Sequence, residues 1–278
     1  NEGSIRNGNL NNTVVNIKFK GEVDFLDDTY RGTNVRTVLD AMYNTSNISL
    51  NEYYKELSFG DLNVTTNIIG SKSNNEVSVE LDHDRNYYMP YDPVSNPEGY
   101  FDYVLIDGND TFVANLYDCR SNGVHDMDPS DGIVCLDYYY ENSDTVGLYQ
   151  HYQASYREEA MIYEVSEKLN DALLADHNLD LNNDGEIDGI TFLIGAEPGN
   201  PLSDIGWSDL LWPHQVGMDL VTEEEAAYYG NGYNLDFSLL TKPCTINGKR
   251  VNGHNLYTST YLLDPDYVID SNQGYIGE

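Results

Sequence analysis

The sequence is short of three things: cysteine, positive charge and long apolar runs. Its 278 residues hold three cysteines, Cys119, Cys135 and Cys244. None stands in C-x-x-C spacing, which excludes a zinc knuckle or a dithiol redox motif. Cys119 and Cys135 can close a loop in an oxidising compartment, leaving Cys244 free, but spacing alone does not choose the pairing. Basic residues number 14 against 47 acidic ones, a formal net charge of −33. A surface of that sign repels nucleic-acid phosphates and anionic membranes, so neither is an expected partner. No apolar run approaches the roughly 20 residues of a membrane-spanning helix, so membrane insertion is not expected. A G-x-S-x-G elbow and a phosphate-cradling glycine loop are also missing.

What is present is a globular composition. Hydrophobic residues make up 40%, and 24 tyrosines with 7 phenylalanines supply aromatic packing. The excess negative charge strains a compact state by self-repulsion. Bound divalent cations relieve that strain, which points to a calcium-rich extracellular setting. The same charge also suits the solubilising surface of a secreted or salt-adapted protein. The chain starts at Asn1, with neither an initiator methionine nor a leader, as expected of a mature or trimmed product.

Periodicity outlines one α/β domain. Residues Thr13 to Gly21 alternate, with Val15, Ile17 and Phe19 on one face and Lys18 and Lys20 on the other, as in a half-buried strand. Val35, Val38, Leu39 and Met42 fall at helical spacing. In "SLNEYYKELS" a second helix is expected, capped by Ser49 and ended by Gly60. "DLNVTTNIIG" and "NEVSVEL" read as strands. From Asp82 to Gln153 the pattern weakens, and long surface loops are expected, with a strand at Tyr103 to Ile106. A helix follows, with Ser155 and Glu158 in capping-box spacing and a stripe of Ile162, Val165, Leu169, Ala172 and Leu173. "GITFLIGA" is a continuous apolar run suited to the middle of a sheet. Residues Leu202 to Gly232 read as loops with a short helix at Glu223 to Tyr229. "TINGKRVNGHNLYTSTYLL" reads as strands joined at glycines. Residues 1–12 are expected to form a tail, and 13–278 the domain.

Between the long helix and the apolar run lies "DLNNDGEIDGI". Asp180, Asn182, Asp184 and Asp188 occupy positions 1, 3, 5 and 9 of a calcium-loop pattern. Gly185 stands at the sharp turn, Ile187 points back to the core, and Glu186 is placed to give its backbone carbonyl. Calcium takes six to eight oxygens in flexible geometry, which this alternation supplies. Position 12 is Thr191 rather than a bidentate glutamate, and a strand follows, so the loop is not an EF-hand. An ordinary Asx-rich turn is the competing reading. A second acidic cluster, Asp126, Asp128 and Asp131, has looser spacing and reads first as a charged turn. His214, after Trp212 and Pro213, is a candidate cleft residue or a hydrogen-bonded structural histidine.

Three stretches in order carry a resemblance: "SLNEYYKELSFGDL", the acidic loop with its following strand, and "LLWPHQ". Together with "VVNIKFKG" and "YYMPYDPVSNPEGY", they resemble the catalytic domain of the immune inhibitor A family of secreted bacterial zinc metallopeptidases. The resemblance implies a zincin-like α+β domain with a mixed sheet, packed helices and long calcium-tied loops. It further implies a secreted, extracellular endopeptidase acting on proteins or peptides. Its zinc would be held by an H-E-x-x-H helix, with the glutamate as general base. That pattern is absent here: His83, His125, His151, His177, His214 and His254 are scattered, and no two lie four residues apart. The chain is therefore expected to be the part of the domain that precedes the zinc helix, inactive alone and without catalytic or zinc-ligand residues of its own. The alternative is a non-catalytic calcium-binding extracellular or cell-surface module.

Overall fold

The computed structural model describes residues 8–22, 24, 29–30, 33–44, 49–69, 78–89, 91, 96–101, 103–107, 110–117, 133–135, 146–150, 153–169, 177–195, 214–218, 220–230, 238 and 240–258. In chain order they form β1 (Gly8–Lys18), β2 (Thr29–Tyr30), β3 (Thr33–Asn34), α1 (Val35–Asn44), α2 (Leu50–Leu57), β4 (Leu62–Ile69) and β5 (Val79–Glu80). A 3-10 turn (Arg85–Tyr88), β6 (Tyr103–Asp107), β7 (Asp110–Tyr117), β8 (Ile133–Cys135), β9 (Val146–Gln150) and α3 (Gln153–Lys168) follow. The last elements are β10 (Ile190–Ile194), β11 (His214–Gly217), α4 (Glu223–Gly230), β12 (Thr245–Ile246), β13 (Lys249–Arg250) and β14 (Gly253–Thr258).

The main sheet has the order β11-β14-β10-β1-β4, with β5 also paired to β1. Strands β4, β1, β10 and β14 are parallel to their neighbours, and β11 alone runs antiparallel. Helices cover both faces. On one side Met161, Ile162, Val165 and Leu169 meet Val15, Ile17, Phe192, Ile194 and Leu256. On the other, Val35, Leu39 and Tyr43 of α1 meet Val14 and Leu193. This is a three-layer α/β architecture with a mixed sheet. Full burial of one such aliphatic or aromatic side chain contributes about 1.5–3 kcal/mol, so this two-sided packing dominates stability.

Two-sided cover explains a departure from the alternation in β1. The expected half-buried strand is buried on both faces: Val14, Val15, Asn16 and Ile17 are all inaccessible to solvent. Asn16 is tolerated there because its Nδ2 donates to the Ile69 carbonyl at 2.7 Å. The strand also begins at Gly8, five residues before Thr13, because residues 8–12 pair with β4 from Leu62 onward. β10 is as expected, every residue buried, with parallel neighbours on each side.

Other expectations change. The region read as loops holds a four-stranded sheet, β8-β7-β6-β9, whose Tyr103–Asp107 strand takes two antiparallel partners. Ser155 does not cap α3, which starts at Gln153. Of the expected stripe, Ala172 and Leu173 lie outside the described residues. A reciprocal capping box forms at α4 instead. There Glu225 N donates to Thr222 Oγ1 at 3.1 Å, and Thr222 N donates to Glu225 Oε2 at 2.9 Å. β11 is a strand inside a stretch read as loop. Cys244 is a free, buried thiol beside Ser166, and burial pushes its pKa up, so it behaves as an inert core residue. Cys119 lies outside the described residues.

Helix α2 is capped as expected, Ser49 Oγ accepting from Glu52 N at 3.3 Å. Its end differs. Gly60 N donates to the Lys55 carbonyl and Phe59 N to that of Glu56, the hydrogen-bond pair of a Schellman motif. The left-handed C′ position of that motif is filled by Phe59 at φ 56°, with Gly60 next at φ 88°. A non-glycine residue in this conformation costs about 1–2 kcal/mol.

Candidate functional site

The acidic loop sits at the N-terminal end of β10, and its local geometry follows from its Asx residues. Asp180 is fully buried. Its Oδ1 accepts from Asp184 N at 3.1 Å, and its Oδ2 accepts from Gly185 N at 3.1 Å. Asn182 Oδ1 accepts from Asp184 N at 2.9 Å, and Asp184 Oδ1 accepts from Glu186 N at 2.9 Å. Asn183 at φ 61° and Gly185 at φ 92° supply the left-handed turns that wind these amides inward. Asn tolerates that conformation better than most side chains.

Two contacts clamp the loop to the domain. Asp188 Oδ2 accepts from Asn11 N of β1 at 3.0 Å and from Leu181 N at 3.1 Å. On the other side, Ile187 N donates to the Arg250 carbonyl and Arg250 N to that of Gly185. Arg250 belongs to the β12–β13 hairpin, turned by Asn247 (φ 50°) and Gly248 (φ 74°). From the same hairpin, Lys249 Nζ reaches Asp180 Oδ2 at 2.6 Å. That hydrogen bond, with the Gly185 and Asp184 amides, holds the Asp180 carboxyl below its ordinary range. Nothing in the local pattern of the loop marks Lys249 or Asn11 as its partners. Lys249 lies 69 residues from Asp180 and Asn11 lies 177 from Asp188, and only the fold brings each pair together.

The donor set suits a hard cation: four oxygen-bearing side chains and a backbone carbonyl, without nitrogen or sulfur. Asp188 Oδ1 is buried and receives no hydrogen bond among the described residues. The carboxylates do not converge, however. Among the described residues no group of three or more His, Cys, Asp or Glu side chains is gathered so as to hold a metal ion. Lys249 supplies the positive charge at Asp180. The chain contains no H-E-x-x-H. Asp126, Asp128 and Asp131 lie outside the described residues.

A second feature lies at the sheet edge. β11 pairs with β14 in the register His214↔Leu256, Gln215↔Asn255 and Val216↔His254. Met218 N donates to the Asn252 carbonyl, so by antiparallel alternation His214 and Val216 bond inward, while Gln215 and Gly217 turn their amides outward. No strand pairs with that outer side among the described residues. His214 thus lies in the edge strand; its side chain is outside the described part. The approach of β11 to β14 is close: a Cβ on Gly253 would meet the Val216 carbonyl oxygen at 3.0 Å. Just inside this edge, His254 Nε2 lies 3.2 Å from Glu158 Oε1 of α3, both buried. Sequence reading left this pair unnoticed because its members are 96 residues apart.

The fold and the two features define a three-layer α/β domain with an acidic loop at one end of its central strand and an antiparallel edge strand unpaired on its outer side among the described residues. Compared with models of known protein families and with curated proteins, the chain matches none.

Proposed function

We propose that this chain is part of the catalytic domain of a secreted, calcium-stabilised zinc endopeptidase acting on proteins or peptides. The observation that carries the reading is β11. An antiparallel edge strand with outward amides at Gln215 and Gly217 can take an extended peptide as a further strand, which is how a polypeptide is held without regard to its side chains. The order of "SLNEYYKELSFGDL", the acidic loop and "LLWPHQ" supports the same reading.

Calcium has a bracing role in this proposal. Asp180, Asn182, Asp184, Asp188 and the Glu186 carbonyl would hold it, and it would neutralise charge at the foot of β10. In open α/β sheets ligands lie beyond the carboxyl ends of the strands, and this loop is at the opposite end. The zinc ligands and general base are assigned to sequence outside these 278 residues. Zinc content and chelator-sensitive casein cleavage by the full-length gene product test the enzyme reading. A gene product without H-E-x-x-H overturns it.

The second reading, a non-catalytic extracellular calcium-binding module, is favoured by the lack of that motif in the chain. Calcium is common to both. A ligand bound only by the folded state at about 100 times its Kd stabilises by about 2.7 kcal/mol. Melting with calcium and with chelator should therefore differ by several degrees, and equal midpoints would reject the calcium loop.

A further inference from the structure

Helix α2 has no buried residue. Tyr53 is 53% exposed, Tyr54 38%, Leu57 61% and Phe59 97%. Leu57 lies four residues after Tyr53 and three after Tyr54, so the three share one helix face. The two tyrosine rings meet edge to face, 5.5 Å between centroids. Aromatic side chains of this size give a patch of the order of a few hundred Å², the range in which exposed apolar surface marks interaction sites.

Phe59 is costly twice over. It takes the left-handed position at the helix end, where glycine would build the same motif without strain, and it then leaves its ring in water. Neither cost is offset among the described residues. Helix α2 is held to the body by other means: Asn51 Oδ1 accepts from Val64 N, Ser58 Oγ accepts from Leu62 N, and Leu50 packs below. The aromatic face is therefore not needed to seat the helix. Backbone strain at a fully exposed aromatic residue points to something outside the chain.

We propose that α2 and Phe59 form a docking surface for a partner protein segment carrying lysine or arginine beside an apolar side chain. Charge selects that partner. Glu56 and Asp61 are exposed around the patch, Lys55 is drawn to Glu52 at 3.4 Å, and the chain as a whole carries −33. Acidic proteins and anionic lipid are repelled, and a basic segment is steered in. The surface lies at the β4 edge, on the far side of the sheet from β11, and does not depend on the protease or calcium readings.

The test uses a fluorescein-labelled peptide of leucine and lysine at helical spacing. Two relatives serve as controls, one with glutamate for lysine and one with serine for leucine. Binding is read by anisotropy. The full chain should bind the leucine–lysine peptide best, and Phe59→Gly and Leu57→Ser should each weaken it at least tenfold. Phe59→Gly should melt at or above the wild-type temperature, which separates lost docking from lost folding. Unchanged binding by Phe59→Gly overturns the proposal, as does equal binding of the serine–lysine peptide or of the glutamate peptide. Self-association abolished by Phe59→Gly would assign the surface to a second copy instead. Phe59-dependent binding of zwitterionic phosphatidylcholine vesicles, in place of the peptide, would assign it to lipid.

Discussion

The two edges of the main sheet are finished in opposite ways. Along β4, side chains occupy the outward backbone groups. Asn44 Oδ1 accepts from Thr66 N and its Nδ2 donates to the Thr66 carbonyl, both at 3.0 Å. Asn51 takes Val64 N at 3.2 Å, and Ser58 takes Leu62 N at 2.8 Å. Helices α1 and α2 thus act as a false neighbouring strand. Along β11 no such plug is found among the described residues, and Gln215, Val216 and Gly217 are exposed. An exposed edge is an aggregation liability that proteins generally close. Among the described residues, one edge is closed by three side chains and the other is not, so the two present different surfaces.

The largest expected effect lies between the edges. Phe192→Ala in β10 should cost about 3–5 kcal/mol in chemical denaturation, because the ring is fully buried where both halves of the sheet meet. Two separate transitions would show that the edges belong to independent units. Next is the plug: Asn44→Ala strands the Thr66 amide and carbonyl, costing about 1–3 kcal/mol. It should also bring concentration-dependent association in sedimentation, and a stable monomer would erase the distinction between the edges. At the open edge, Gln215→Pro removes an outward amide while leaving the β14 ladder intact. Binding of an extended peptide should weaken about tenfold, about 1.4 kcal/mol, with the unfolding midpoint nearly unchanged.

The smallest effect is at the foot of β10. Asp180 has a folded-state pKa below its ordinary 3.8, so the unfolded chain takes up the proton first as pH falls. The Lys249 contact therefore stabilises fully at neutral pH and is lost as pH drops below 3.8 through the folded value. The stability difference between wild type and Lys249→Met should be constant above about pH 5 and shrink below that value. A difference that grew on acidification would contradict the ion pair.

Much of the frame was legible from local pattern. β10 announced itself as an unbroken apolar run, α2 by its Ser49 cap, and the stretch holding β12 to β14 as strands joined at glycines. The four-stranded sheet was not, since β6 and β9 are some forty residues apart and strands of three to eight residues carry little periodicity. The false cap at Ser155 shows the limit of spacing alone. Serine three residues before glutamate occurs there, yet the helix runs through it, while Thr222–Glu225 forms the actual box. In the acidic loop, the order of oxygens from Asp180 to Asp188 was visible. That Asp180 is buried under Lys249 was not.

By itself, the sequence determined what depends on neighbours a few residues apart: helix faces, caps, tight turns, and the run of side chains able to face a cation. Tertiary structure alone decided which carboxylate is buried, which edge is plugged and which is open. Those outcomes rest largely on pairings such as Asn51 with Val64, 13 residues apart, and Asn11 with Asp188, 177 apart, and chain-local propensity carries no record of such pairings.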